Sequence, residues 1–345
     1  MIACIFIVGS VANRKIRAIN KFSIILPVKN GGNYVKECVK SILSQTLQDF
    51  NLIVLDNCSN DGTLEWLQSL SDQRIVIHQS QKPLSIEENW ARIKSIPKNE
   101  FITLIGHDDI LEKDYLWLMD NLIAEHPSAA LYQTHFQYID SEGKVLHNCK
   151  PMDETQYAHE FLAAYMCRSI DSTGTGYMMR SKDYDDCGGI NPGYKNLIFA
   201  DFELWIKLML KSYKATAYEI GFEYRIHNSV SKLTNGEAYQ QAFDKFLEFI
   251  IEKTGENEKI KLVSERYGKR FLLYFCEALS HRVIKTPRNQ RQVTVRNLIE
   301  KYKSYASRMI PGQDFEPEKK FRIKIARMFD SSFVGRELFL FLKKF

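Results

Sequence analysis

Between residues 22 and 130 the chain alternates short apolar runs with segments of helical spacing, and this alternation limits the fold more than any other feature. Phe22-Ser-Ile-Ile-Leu26, Asn51-Leu-Ile-Val-Leu55, Arg74-Ile-Val-Ile-His78 and Phe101-Ile-Thr-Leu-Ile105 read as strands. Residues 34–44, 62–70 and 86–96 read as helices; in the first, Val35, Val39, Ile42 and Leu43 recur at helical spacing. Such a series predicts an α/β fold with a parallel sheet and right-handed crossovers. Ligands of these sheets bind at the C-terminal ends of the strands. Pro27-Val-Lys-Asn30, Asp56-Asn57 and His107-Asp-Asp109 all fall at such ends. Three polar clusters on one sheet edge predict a binding site there.

Residues 131–235 change character. Strands are expected at 129–138, 176–180 and 215–220 and a helix at 202–210, giving a mixed sheet. From about residue 236 the pattern is helical. The expected organisation is an N-terminal extension over 1–21, an α/β unit over 22–235 with halves at 22–130 and 131–235, and a helical region over 236–345. The apolar stretch Met1-Ile-Ala-Cys-Ile-Phe-Ile-Val8 is too short to span a bilayer, and its charges follow it rather than precede it. The seven cysteines form no CxxC pair, which argues against a disulfide framework or a zinc site and fits a reducing cytoplasm. Residues 241–345 hold 23 Lys and Arg against 13 Asp and Glu. Such a basic region suits an anionic membrane surface or a phosphorylated acceptor. No stacking-aromatic or helix-turn-helix signature for nucleic acid accompanies it.

Asp108 and Asp109 are adjacent carboxylates at a strand end, a pattern that either caps the following helix or holds a divalent cation. Asp56 leads a turn of Asn, Asp and Gly, where its carboxylate is placed to accept from a base N–H or a ribose hydroxyl. The segments Ser23-Ile-Ile-Leu-Pro-Val-Lys-Asn30, Val39-Lys-Ser-Ile-Leu-Ser-Gln-Thr46 and Asp56-Asn-Cys-Ser-Asn-Asp-Gly-Thr63 together resemble the opening of a family 2 glycosyltransferase of GT-A fold. Glu88-Asn-Trp-Ala-Arg92 and Glu100-Phe-Ile-Thr-Leu-Ile-Gly-His-Asp-Asp109 resemble the family's N-W-x-R helix and acidic motif. Phe199-Ala-Asp-Phe-Glu-Leu-Trp-Ile-Lys-Leu208 resembles its E-D-x-x-L-W segment, and Tyr224-Arg-Ile-His-Asn-Ser-Val-Ser231 a loop reading Y-R-x-H-x-x-S-x-S. The resemblance covers residues 22 to about 235.

The resemblance implies a Rossmann-like mixed sheet with flanking helices, binding a nucleotide-sugar through residues 22–130 and an acceptor through 131–235. It assigns Pro27, Asn30 and Asp56 to the nucleotide, and Asn89, Arg92, Asp108 and Arg225 to the rest of the donor. Asp108, Asp109 and His227 are the expected ligands of Mn2+ or Mg2+. The family's D-x-D motif would place its first acid at Gly106, so the cation is expected to bind firmly only with the donor present. Asp201 takes the place of the general base, with Ala200 where the family carries Glu, and Glu203 is an alternative base. Ser172-Thr-Gly-Thr-Gly-Tyr177 and Cys187-Gly-Gly-Ile-Asn191 resemble the acceptor side.

The implied function is inverting transfer from a nucleotide-sugar, UDP-linked by expectation, to a glycan or lipid-linked acceptor during surface polysaccharide synthesis. The implied location is the cytoplasm, peripheral at the inner face of the membrane. The basic amphipathic segment Lys319-Lys-Phe-Arg-Ile-Lys-Ile-Ala-Arg-Met-Phe329, with Phe321, Ile325, Met328 and Phe329 on one face, fits either membrane contact or packing on the catalytic unit. One rival is a sugar-phosphate nucleotidyltransferase, which would want a more Gly-rich and basic first loop. Another is a degenerate nucleotide-sugar-binding subunit, suggested by the missing acids at 106 and 200.

Overall fold

The structure is a computed structural model that describes residues 21–227, 234–286 and 291–342. The expected extension therefore lies almost wholly outside the described residues, as do residues 228–231 of the Y-R-x-H loop. The strands are β1 (Phe22–Val28), β2 (Phe50–Asp56), β3 (Ile75–Ile77), β4 (Phe101–Leu104), β5 (Ile110–Leu111), β6 (Leu131–Ile139), β7 (Val145–Asn148), β8 (Thr155–Gln156), β9 (Tyr177–Arg180) and β10 (Lys214–Arg225). Around them lie α1 (Gly32–Leu43), α2 (Thr63–Ser69), α3 (Ile86–Ala91), α4 (Tyr115–Glu125), α5 (Ala158–Cys167), α6 (Ser181–Asp186) and α7 (Ala200–Lys211). The C-terminal region contributes α8 (Gly236–Glu256), α9 (Glu258–Lys285), α10 (Val295–Met309), α11 (Phe321–Asp330) and α12 (Phe333–Leu342).

One sheet runs in the order β3-β2-β1-β4-β9-β6-β10-β5. The first four strands are parallel, as the alternation predicted, with Val28 beside Asp56 and Phe22 beside Phe101. β9 then pairs antiparallel to both β4 and β6, and β10 pairs parallel to β6, so the sheet is mixed. Alternate residues of β1 serve opposite faces. Ile24, Leu26 and Val28 pack with Val35, Val39 and Ile42 of α1, and Ile25 packs on the other side with Ile53, Ile102 and Leu104.

That second face does not stop at residue 235. Its apolar core runs on through Trp205, Phe199 and Phe202 into Phe243, Phe246, Phe271 and Phe275 of α8 and α9. The helical region is thus packed onto the 131–235 half through a shared core. The expected helix at 86–96 divides into α3 and a 3-10 turn, Arg92–Ser95. The strand expected at 215–220 is longer: β10 reaches Arg225 and carries the Y-R-x-H motif to the sheet edge.

In α11, Ile323 and Ala326 face the core, while Phe321 and Met328 are exposed. The next turn is fastened by Arg336, which donates from Nε to the Ile284 carbonyl (3.0 Å) and from Nη2 to that of Lys285 (3.2 Å) at the end of α9. Among the described residues no helix is long and apolar enough to cross a membrane.

Phe246 is fully buried and stacks at 5.2 Å on Phe199, which lies two residues before Asp201. Phe246→Ala is expected to cost about 3–5 kcal/mol in a denaturant melt through the cavity it leaves.

Candidate active site

Because β2, β1 and β4 are neighbours, their C-terminal ends bring Asp56, Asn30 and residues 106–109 to one edge. Asp56 closes β2 and is fully buried. Its Oδ2 accepts from the Ser59 N–H at 3.3 Å, and its Oδ1 has no hydrogen-bond partner. A buried acceptor without a partner is costly unless a ligand supplies a donor. Pro27 is buried within β1 beside Leu55. Asn30 stands in a left-handed conformation, with φ 54, and Asn60 N–H donates to its Oδ1 at 2.9 Å. Asn30 N–H in turn donates to Ser59 Oγ at 2.9 Å, so it fastens the 57–62 loop around Asp56.

Asn89 and Arg92, expected at the donor, are committed to the backbone behind it. Asn89 Nδ2 donates to the Leu55 carbonyl at 3.2 Å. Arg92 donates from Nη1 to the Asp56 carbonyl (3.1 Å) and to Asn89 Oδ1 (2.9 Å), and from Nη2 to the His78 carbonyl (2.5 Å). A planar guanidinium suits this use, since its fork collects the carbonyls that protrude where β2 and β3 end. The pair positions Asp56 rather than presenting donors of its own.

Asp108 and Asp109 part company. Asp109 is buried, and its Oδ1 accepts the Arg225 N–H at 2.9 Å. Burial and the neighbouring Asp108 charge push its carboxyl well above the usual range. Asp108 is partly exposed, and its Oδ2 lies 2.5 Å from His227 Nε2. The expectation that both acids face the cation therefore does not fit this geometry: Asp109 is a clasp for β10, and the open pair is Asp108 with His227. One carboxylate oxygen and one imidazole nitrogen suit Mn2+ or Mg2+ completed by diphosphate and water. Among the described residues no three His, Cys, Asp or Glu side chains group together as a metal site.

Arg225 also departs from its expected role at the diphosphate. Its side chain is buried; Nε donates to the Asp108 carbonyl (2.8 Å), Nη2 to Glu37 (2.7 Å), and Nη1 to the carbonyls of Asp140 (3.2 Å) and Ser141 (3.3 Å). Its guanidinium lies 4.7 Å from the centre of the Tyr34 ring, which also packs on His227.

The absence of an acid at 106 has a steric reason. A Cβ on Gly106 would stand 2.7 Å from Asp108 Oδ1 and 3.1 Å from Asp109 Oδ2. The two carboxylates occupy the space that a side chain at 106 would need. Gly106 N–H donates to Thr175 Oγ1 at 2.8 Å, tying the acidic turn to the 172–176 loop. Gly176 closes that loop with φ 77, and a Cβ there would stand only 2.3 Å from the Phe222 ring.

The same loop meets Asp201. A Cβ on Gly174 would lie 3.5 Å from Asp201 Oδ2, while Oδ1 accepts the Phe202 N–H at 3.0 Å in the first turn of α7. One oxygen is thus held and the other faces the loop. Burial raises the Asp201 pKa to about 6, against the stabilising backbone N–H. Glu203 is closed as an alternative base: Tyr194 (2.6 Å), Lys207 (2.6 Å) and Asn191 (3.0 Å) all donate to it. Despite its burial these partners hold it below the usual range.

Sequence reasoning missed Thr175, which links the acidic turn to the loop facing Asp201, and Tyr224. Burial and the charges of Asp109, Asp108 and Asp201 all raise the Tyr224 hydroxyl pKa. Its place in the Y-R-x-H motif was the available signal.

Residues 23–188 match the family model described as Glycosyl transferase family 2. Glycosyltransferase GlyG of Streptococcus pneumoniae is 30% identical over 124 residues, which cover 35% of this chain and 41% of that protein. The putative teichuronic acid biosynthesis glycosyltransferase TuaG of Bacillus subtilis is 28% identical over 222 residues, covering 61% of this chain and 81% of that one. In fold, S. aureus TarS 1–349 in complex with UDP superposes with TM-score 0.56 at 13% identity, covering 89% of this chain and 90% of that one.

Two outcomes follow from this geometry. Gly106→Ala should force Asp108 off His227 and lower turnover by up to about a hundredfold, the scale of an ångström-sized misplacement, with the thermal midpoint nearly unchanged. Asp201→Asn should stabilise the fold. The folded-state pKa is raised from 3.8 to about 6, so ionised Asp201 opposes folding fully above pH 6 and not at all below 3.8. The variant should gain up to about 3 kcal/mol near pH 8, and the gain should vanish near pH 3 in chemical melts.

Residues 23–188 thus match the family 2 glycosyltransferases, and the chain has a GT-A-like fold.

Proposed function

We propose that the protein transfers a sugar, with inversion, from a UDP-linked donor to a hydroxyl of a glycan or lipid-linked acceptor in surface polysaccharide synthesis. The observation that carries this reading is Asp201: a carboxylate with one oxygen held, the other facing the Gly174 loop, and a pKa near 6. A general base is most effective when its pKa lies near the working pH. Asp201 would take the acceptor proton as the hydroxyl attacks the anomeric carbon from the side opposite the nucleotide. Asp56 would receive a donor N–H on its unpartnered Oδ1, a requirement that the uracil ring meets. Asp108 and His227 would hold a divalent cation, which when bound supplies positive charge to the departing diphosphate.

Likeness to a chain solved with UDP-GlcNAc supports the choice of a UDP donor, and the name of TuaG supports polysaccharide synthesis. The chain spans less than half of GlyG, so the activity stays a proposal for this protein. Membrane association rests on the basic charge of the C-terminal third.

A panel of nucleotide-sugars, with Mn2+ or with EDTA, scored for nucleotide release and donor binding, tests the reading. UDP-sugar binding strengthened by Mn2+ is expected, and no binding of any nucleotide-sugar would refute it. The acid limb of kcat against pH should fall with an apparent pKa of about 6. Asp201→Asn should lower kcat by at least about a hundredfold, the range of a lost general base, and leave donor affinity intact.

A further inference from the structure

Outside the candidate active site, unpaired positive charge gathers along α9. Arg266, Lys269, Arg270 and Tyr274 share one stripe of that helix at spacings of three and four residues. With Arg168 from the end of α5 and Lys320 from the segment before α11, they line an open groove of about 630 Å³. None of these five cations has an ion-pair partner among the described residues. The acid in the groove, Glu277, is taken by Arg322 at 3.0 Å. Arg168 stands in a left-handed conformation and lies over the exposed Tyr274 ring at 4.2 Å. Five uncompensated cations around a concavity repel one another, and an anion that spans them relieves the repulsion.

Packed side chains and one short stretch of chain link the walls of the groove to Asp201. Tyr165 of α5 packs on Phe202, next to Asp201, at 4.3 Å and on Phe271 of α9 at 5.7 Å. Residues 168–174 then lead from the Arg168–Tyr274 stack to Gly174 beside Asp201, a path of at most roughly 20 Å. That span suits a few residues of a polymer, with one hydroxyl at Asp201 and the chain behind it in the groove.

We propose that this groove binds the acceptor, and that the acceptor is a glycan carrying repeated anionic groups, phosphate or carboxylate. The inference rests on the transferase reading and gives it an acceptor class. An open, concave site with an aromatic ring suits a flexible sugar chain, since a ring offers a stacking face and cations pair with its anions. A membrane would instead meet a flat face.

Affinity electrophoresis of the full chain through gels holding inorganic polyphosphate, polygalacturonate or neutral dextran tests it, with flotation on phosphatidylglycerol vesicles as a further arm. Retardation is expected by polyphosphate, by polygalacturonate or by both, weakening as salt rises, and none by dextran. Which polymer retards more separates phosphate from carboxylate. Arg266→Glu with Arg270→Glu should weaken the retardation at least about tenfold, and Lys269→Glu alone by less. All these side chains are exposed, and a thermal melt checks that each variant is folded. Equal retardation of the folded double variant, no retardation by either polyanion, or capture by vesicles alone would overturn the groove. UDP-sugar binding to the wild-type chain is scored separately. Lost polyanion binding with donor binding intact overturns only the groove, and lost donor binding overturns the transferase reading.

Discussion

The active edge depends on one buried guanidinium. Arg225 ends β10 and reaches three other parts of the chain: Glu37 on α1, the Asp108 carbonyl in the acidic turn, and the Asp140 and Ser141 carbonyls after β6. Its own N–H goes to Asp109, so backbone and side chain both engage the acid pair. A buried charge is costly unless its hydrogen-bonding positions are filled, and here protein acceptors fill them. This clamp fixes the acidic turn against β10 and so fixes where Asp108 meets His227.

The division between Asp108 and Asp109 follows from that clamp. Two adjacent carboxylates cannot both ionise freely in a confined site. The structure turns one inward to an N–H and leaves the other beside an imidazole at the surface. Gly106 makes room for the arrangement, and Thr175 relays it to the loop that faces Asp201. Asp201 is set from the other side: Phe199, with φ 70, carries its ring into the aromatic core of α8 and α9 just before α7 begins. The helical region therefore bears on the placement of Asp201.

Much of this was legible in the chain itself. The apolar runs ending at Leu26, Leu55 and Ile105 each mark a parallel strand, because strands buried on both faces read as continuous apolar stretches. Asp56, Asp108, Asp201 and His227 stood out because polar residues at strand ends and helix starts carry local signals. What the side chains do there was less legible. Asn89, Arg92, Asp109 and Arg225 look like ligand contacts in sequence, yet each is spent on backbone groups whose positions depend on strand order. Thr175 and Tyr224 gained their places only from the pairing of β9 and β10 with distant strands. α5 escaped notice because its apolar residues share no strong stripe, and packing against α9 holds it instead.

A crystal structure of the protein with UDP and Mn2+ bears most directly on the central claim, that one sheet edge carries donor, cation and base. The uracil ring is expected to donate to Asp56 Oδ1, the cation to lie on Asp108 and His227 with the diphosphate, and Asp201 Oδ2 to remain free toward the acceptor side. A nucleotide bound away from Asp56, or a cation held by Asp109 with Arg225 released, would contradict it.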